Sequence, residues 1–165
     1  MNPEPIYIAH SDPALRSGQQ RIAMADLAPF GLDGQFEQLW FGDIGNGVHE
    51  IRCVPFHVYG ISLLDHVEIR DDRLYALVKP SGHRTLRALI RPEPNGVSVS
   101  EMRQFVDDLA ARERLLVEWN GDRFFAVDIP PGRVSAPLGE FLLRNQEAGN
   151  LHWEWADSQE FASSR

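Results

Sequence analysis

The sequence predicts an α+β fold in which a small curved β-sheet or partial barrel precedes a ferredoxin-like split βαβ half. Three observations support this prediction. Short segments with alternating apolar and polar residues fill the chain between residues 36 and 91, as is typical of half-buried strands. After residue 98 the apolar period changes to that of a helix. From residue 84 the predicted order is strand, helix, strand, strand, helix, strand, which is the ferredoxin-like order.

The β-rich part contains two predicted hairpins and one further strand. FEQLWF and VHEIRCV flank the turn GDIGNG, and HVEI and RLYALV flank Asp71 and Asp72, which is the pattern of hairpins. Val67 and Ile69 alternate with polar residues, so His66 is predicted to point outward. TLRALI follows a Pro-Ser-Gly-His turn as a fifth strand. Strands this short favour a strongly curved sheet or partial barrel.

The ferredoxin-like half begins with an amphipathic helix. Ser98 and Glu101 have the spacing of a capping box. The predicted core stripe of this helix follows the i, i+3, i+4, i+7 spacing and comprises Met102, Phe105, Val106 and Leu109.

The strands LLVEW and RFFAVDI follow, and two loop lengths between them are compatible with the turn residues. A two-residue Asn-Gly loop would pair Trp119 with Asp122. A three-residue loop pairs Trp119 with Arg123 and Val117 with Phe125, and only this register gives a continuous apolar face.

A second helix and a last strand complete the predicted half. Ser135 is placed to cap the helix, which carries Leu138, Phe141 and Leu142, and Gly149 is placed to end it. LHWEW then alternates as a strand.

The predicted organisation therefore has four parts. Residues 1–35 form an arm of uncertain order, and residues 36–97 form the β-rich subdomain. Residues 84–156 form the ferredoxin-like subdomain and share strand 84–91 with the preceding part. Residues 157–165 are predicted to be a solvated tail.

Composition restricts the function classes. The chain has 165 residues, 43% of them hydrophobic, which is enough for a buried core. One cysteine cannot form an internal disulfide, and we find neither a signal peptide nor an apolar run of about 18 residues. We therefore expect a soluble cytosolic protein that does not enter a membrane.

The charge distribution is unfavourable for binding nucleic acid. Residues 1–97 hold 9 basic and 12 acidic side chains, and residues 98–165 hold 7 and 12, which together give the net charge of −8. Neither half is built to collect phosphates. RFFAVDI also lacks the aromatic motif of RNA-binding ferredoxin-like sheets. We expect no nucleic-acid partner.

Cys53 and His57 are four residues apart, and so are His49 and Cys53, which is a spacing that raises the question of a metal site. On a strand, residues four apart are separated by about 13 Å, whereas zinc ligands lie about 2 Å from the ion. The prediction is that no metal or other cofactor is bound, that Cys53 is buried on a strand, and that His57 lies at the mouth of that strand.

The sequence contains no recognisable catalytic set. Ser81 and His83 are close, but a G-x-S-x-G elbow is missing and nothing links Ser81 to an oriented base. Asp65 and His66 are neighbours on a predicted strand and would face opposite ways. GDIGNG leads into a strand rather than a helix, so it is not a phosphate loop. We assign no catalytic residue.

FEQLW, GNGVHEIRCVPFHVYGISLLDHVEI and VKPSGHRTLRALI resemble a bacterial family, the domain of unknown function 4265. The resemblance rests on an xLW strand, a Pro-Phe-x-x-Tyr-Gly turn, a Gly-Asp-x-Val step and a Pro-Ser-Gly-His turn, and it covers residues 36 to 156. Leu64 stands where the family pattern has glycine, and His66 stands where a small or apolar residue is usual. The resemblance implies a domain type and no established activity.

Two functional hypotheses remain. In the first, the chain is an acidic binding protein, most sharply an immunity or antitoxin-like inhibitor of a basic toxin, because carboxylates accelerate association with a basic partner. The carboxylates predicted for that surface are Glu118, Asp128, Glu140 and Glu154.

In the second hypothesis, the chain is an enzyme or a ligand-binding domain. Its site would be a groove between the two halves. The residues predicted to line this groove are His57, Tyr59, Ser81, His83 and Arg84.

Overall fold

The computed structural model describes residues 3–164, which form ten β-strands and two α-helices arranged around two sheets. The strands of the first sheet are β1 (Ile6–Ala9), β2 (Gln20–Asp26), β3 (Gln35–Gly45), β4 (Val48–Ile51), β5 (His66–Arg70) and β6 (Arg73–Lys79). The second half comprises β7 (Arg84–Ile90), α1 (Val99–Glu113), β8 (Leu116–Asn120), β9 (Phe124–Ile129), α2 (Ala136–Glu147) and β10 (Leu151–Trp155). Residues 1, 2 and 165 of the predicted arm and tail lie outside the described residues.

The first sheet has the order β1-β3-β2-β6-β5-β4, and β4 also pairs with β3. The eleven-residue strand β3 makes this closure possible, because Phe36 pairs with β2 near one end and Phe41 pairs with both β2 and β4. Five strands therefore close into a barrel, and β1 adds to β3 in parallel at the edge. Inward side chains such as Leu39, Ile51 and Val67 are fully buried.

The predicted arm is part of this barrel. Ala23, Ala25 and Leu27 point into the barrel core, whereas Ile22 is exposed. The alternation escaped the sequence analysis because alanine is a weak indicator of a strand, and the larger apolar side chain is on the outside.

The second sheet has the antiparallel order β10-β7-β9-β8, with α1 and α2 packed on one face. This is the predicted ferredoxin-like arrangement. Ser98 and Glu101 form the predicted capping box, and the Ser135 hydroxyl accepts from the Leu138 amide. Neither α1 nor α2, the helices of the described chain, is long and apolar enough to cross a membrane.

Two local predictions in this half were wrong. Trp119 pairs with Phe125 and Val117 with Val127, two residues away from the predicted register. A shift of two residues leaves every side chain on its predicted face. Phe105 is 45% exposed, because the buried stripe of α1 is formed by Met102, Val106, Leu109 and Ala110 and leaves Phe105 at its edge.

The segment after β10 is only partly solvated. Phe161 packs against the barrel core, and Asp157 accepts hydrogen bonds from Arg84. The predicted tail therefore covers part of both halves.

Candidate functional site

Residues 52–65 connect β4 to β5 without regular structure and run between the two sheets. We call this segment the seam loop. Its apolar side chains are buried in both directions, with Cys53 and Val58 in the barrel core and Val54 and Phe56 against Ala126 of β9. The seam loop therefore fills the space between the two sheets with its own apolar side chains. A buried loop must find partners for its backbone polar groups, and side chains from both sheets provide them.

Two buried glutamates accept the amides of the seam loop. Glu37 of β3 accepts from the amides of Phe56, His57 and Val58 at 2.6, 2.8 and 3.1 Å. Glu118 of β8 accepts from the amide of Val54 on the same loop. Each half of the fold therefore contributes one carboxylate to the loop.

His10 joins these carboxylates. Its Nε2 lies 2.8 Å from Glu37 and its Nδ1 lies 2.7 Å from Glu118, while its ring stacks on Phe56 at 4.1 Å between centroids. Both ring nitrogens face acceptors, so the imidazolium form satisfies both contacts. Burial opposes its protonation, but the hydrogen bonds to Glu118 and Glu37 favour it and prevail, and the pKa of His10 is raised well above 6.5. We call His10, Glu37 and Glu118 the buried triad.

The carboxylate of Glu37 is ionised in this environment. Burial alone would raise its pKa, but the hydrogen bond and the charge of His10, together with the Phe56 amide, lower the pKa to about 2.

Arg87 of β7 supplies the donors for the loop carbonyls. Its Nη1 donates to the carbonyl oxygens of Phe56 and Val58, and its Nε donates to Glu154 at 2.8 Å. Its guanidinium lies 3.9 Å from the centroid of the Tyr59 ring, and the Tyr59 hydroxyl also donates to Glu154. Tyr59 and Glu154, which were assigned to different candidate sites, therefore belong to one cluster.

A second polar cluster closes the other end of the seam. Asp65 accepts from the Ser81 amide at 2.6 Å, from the Ser81 hydroxyl at 2.8 Å and from the Ser62 amide at 2.8 Å. His83 Nδ1 lies 2.9 Å from both carboxylate oxygens of Asp128. Burial raises the pKa of Asp128 to about 6 against the opposing effect of His83.

This second cluster is not arranged as a nucleophile and base. The Ser81 hydroxyl contacts Asp65 and the Leu63 carbonyl, and it accepts from the backbone amide of His83 rather than from its ring. Its hydrogen bonds fix the turn before β7. The cluster therefore has a structural role, because it links the end of the seam loop to the turn before β7.

The Cys53 and His57 side chains have separate roles in the seam. Cys53 is fully buried in a bend after β4 rather than on a strand, its sulfur accepts from the Trp40 amide, and burial raises the pKa of its thiol. His57 stacks on Phe124, and burial lowers its pKa. Within residues 3–164 no group of three or more His, Cys, Asp and Glu side chains is placed to hold a metal ion.

The predicted groove between the halves is filled. His57, Tyr59, Ser81 and His83 do lie along the seam, but the seam loop occupies the space between the sheets. Arg84 lies apart from them, at a cavity of about 280 Å³ beside α2. The sequence showed which residues gather at the junction, but it could not show that the chain itself fills it.

The four carboxylates predicted to form an acidic contact surface do not share one surface. Glu118 and Asp128 are 3% and 2% exposed, because the sheet face opposite the helices is covered by the seam loop. They cannot contribute to a contact surface. Glu154 is 44% exposed and paired with Arg87, whereas Glu140 is exposed on α2.

Glu140 borders a groove of about 440 Å³ between α1 and α2, which we call the helix groove. Phe105 and Phe141 stack along it with ring centroids 4.7 Å apart. Glu101 and Arg144 complete its rim. The sequence analysis missed this surface because it assigned Phe105 to the core.

The comparisons with known proteins identify a family and a similar fold. The profile of a domain of unknown function (DUF4265) matches residues 37–153. No curated protein matches the chain. A crystal structure of a hypothetical protein from Neisseria gonorrhoeae is similar, with 19% sequence identity, a TM-score of 0.59, and coverage of 86% of this chain and 96% of that chain. At this identity the likeness concerns the fold alone.

Leu64, which departs from the glycine of the family pattern, has φ = 65°. Glycine enters this left-handed region without strain. Leucine enters it only with strain, so the turn into β5 places Leu64 in a conformation that favours glycine.

Proposed function

The chain belongs to the DUF4265 family, a domain of unknown function, and we propose that it is a small acidic binding protein whose helix groove docks onto a basic partner protein. An immunity or antitoxin-like inhibitor is the sharpest form of this proposal. The observation that carries it is Phe105, which is 45% exposed and stacks on the buried Phe141 in a groove that Glu101 and Glu140 also line.

The apolar part of the helix groove provides an anchor for binding. Phe105 is 45% exposed in the groove, which Met102 and Phe141 also line. Aromatic residues surrounded by polar ones often contribute most of the binding energy.

The charge of the helices favours a basic partner. The segments α1 and α2 carry six carboxylates and three arginines, a net charge of −3. Complementary charge accelerates association and rejects partners of the same sign. The proposal therefore keeps Glu140 from the sequence-based surface and replaces the buried Glu118 and Asp128 by carboxylates of the helices.

The test uses the protein encoded beside this chain as the probe, with affinity and association rate measured on immobilised protein. Phe105→Ser is expected to weaken binding about thirtyfold, which is the loss of about 2 kcal/mol typical of a central anchor. Glu140→Arg is expected to slow association several-fold at low salt, and the effect should fade as salt screens the charges.

Val78→Ser on β6 is the matched control, because Val78 is 53% exposed on the barrel, away from the helices. It should bind as the wild type does. Wild-type binding by both helix-groove variants, or no binding of the neighbouring protein at all, would contradict the proposal.

A further inference from the structure

We propose that the cavity beside α2 is a binding site for a small organic carboxylate with an aromatic or branched apolar body. The cavity measures about 280 Å³ and lies between α2 and the strands β7, β9 and β10. It is separate from the helix groove, because neither Phe105 nor Glu140 lines it.

The walls of the cavity suit an apolar body. The indole rings of Trp153 and Trp155 meet edge to face, with centroids 6.4 Å apart. Leu138 and Leu142 of α2 and Ile129 of β9 complete the apolar lining. Enclosed, mostly apolar cavities with a few polar groups are the usual sites for small molecules.

The polar groups of the lining favour an anion. Arg84 and Arg133 line the cavity and are each paired with a carboxylate outside it, Arg84 with Asp157 at 2.7 Å and Arg133 with Glu113 at 3.8 Å. None of the described lining residues is acidic. The N-terminal end of α2 also borders it at Ser135, and the first turn of that helix has no acidic residue. A helix N-terminus attracts negative charge.

Arg84 is held in place without a ligand. Two hydrogen bonds to Asp157 and a contact 3.8 Å from the centroid of the Trp155 ring fix its guanidinium. Asp157 accepts from Nε and Nη2, so within the described chain the Nη1 group of this positioned guanidinium keeps its donors for a ligand oxygen.

Gly139 provides an independent indication that the space is kept open. It lies in the interior of α2 and lines the cavity, yet a Cβ atom built on it would meet no atom within 4 Å. Glycine in a helix interior is unfavourable relative to alanine, and neither packing nor backbone conformation requires it at this position.

The probes are indole-3-acetate and 4-methylpentanoate, with the corresponding neutral amides as comparison, titrated by calorimetry. Both carboxylates are expected to bind, and the amides should bind at least about tenfold more weakly because they lack the charge. Arg133→Gln, at the mouth of the cavity, is expected to weaken carboxylate binding about fivefold and amide binding little.

Gly139→Phe is expected to fill the cavity and abolish binding, whereas Gly139→Ala should retain it. Melting curves identify folded variants, and if Gly139→Phe does not fold, Arg133→Gln decides. The proposal is overturned if the carboxylates and the amides bind equally well, or if folded Gly139→Phe or Arg133→Gln binds the carboxylates with wild-type affinity. It is also overturned if no saturable binding is seen up to about 10 mM, the weak end expected for ligands of this size.

Discussion

Replacement of Glu37 by glutamine is expected to release the seam loop from the barrel. The carboxylate accepts from His10 and from three consecutive amides of the loop. A glutamine side chain has the same shape, but its NH₂ group cannot accept a hydrogen bond. At least one buried amide or the His10 ring therefore loses its partner, and His10 loses an opposite charge.

The expected cost follows from the environment of Glu37. Its pKa is lowered from 4.5 to about 2, a difference equivalent to about 3 kcal/mol. Removing one member of a buried ion pair typically costs about 3 to 5 kcal/mol. We expect the free energy of unfolding to fall by that amount, which is a large share of the roughly 5 to 15 kcal/mol of an ordinary domain.

The pH dependence has a definite sign. Because the folded pKa of Glu37 is lowered, its stabilisation is fully present above about pH 4.5 and is lost as the pH falls towards about 2. The difference between wild type and Glu37→Gln should therefore shrink in acid. His10 has a raised pKa, so its contribution is present below pH 6.5 and is lost as the pH rises through its folded pKa.

Urea denaturation at several pH values measures these effects. Glu147→Gln on the exposed face of α2 is the control and should change stability by less than about 0.5 kcal/mol. A loss below about 1 kcal/mol for Glu37→Gln at neutral pH, or a loss that stays constant down to pH 2, would refute an ionised Glu37 in the buried triad.

Two further predictions concern the seam loop. Gly60→Ala should cost more than about 2 kcal/mol in urea denaturation, because φ is +72° and the new Cβ would clash with the Phe161 amide nitrogen. Wild-type stability would show that the C-terminal segment does not pack there. Cys53 should react with a thiol reagent only as fast as the protein unfolds, because burial raises the pKa of the thiol; rapid reaction of the native protein would contradict its burial.

Much of the fold is encoded locally and could be predicted from the sequence. The alternation around Val67 and Ile69 predicts β5, and the Ser98–Glu101 capping box predicts the start of α1. These signals extend over a few residues, because a strand or helix repeats its pattern every two or 3.6 residues. The element order then predicts the ferredoxin-like half, whose sheet order the structure confirms.

The roles of the polar residues were decided only by tertiary structure. Glu118 lies on the face of its strand opposite the core, and the sequence therefore predicted it as exposed. In the fold that face is covered by the seam loop, which lies more than fifty residues earlier in the chain. His10 meets Glu37 across 27 residues and Glu118 across 108. Periodicity shows which way a side chain points, but it contains no information about what covers that face, because the covering segment is brought there by the packing of one half on the other.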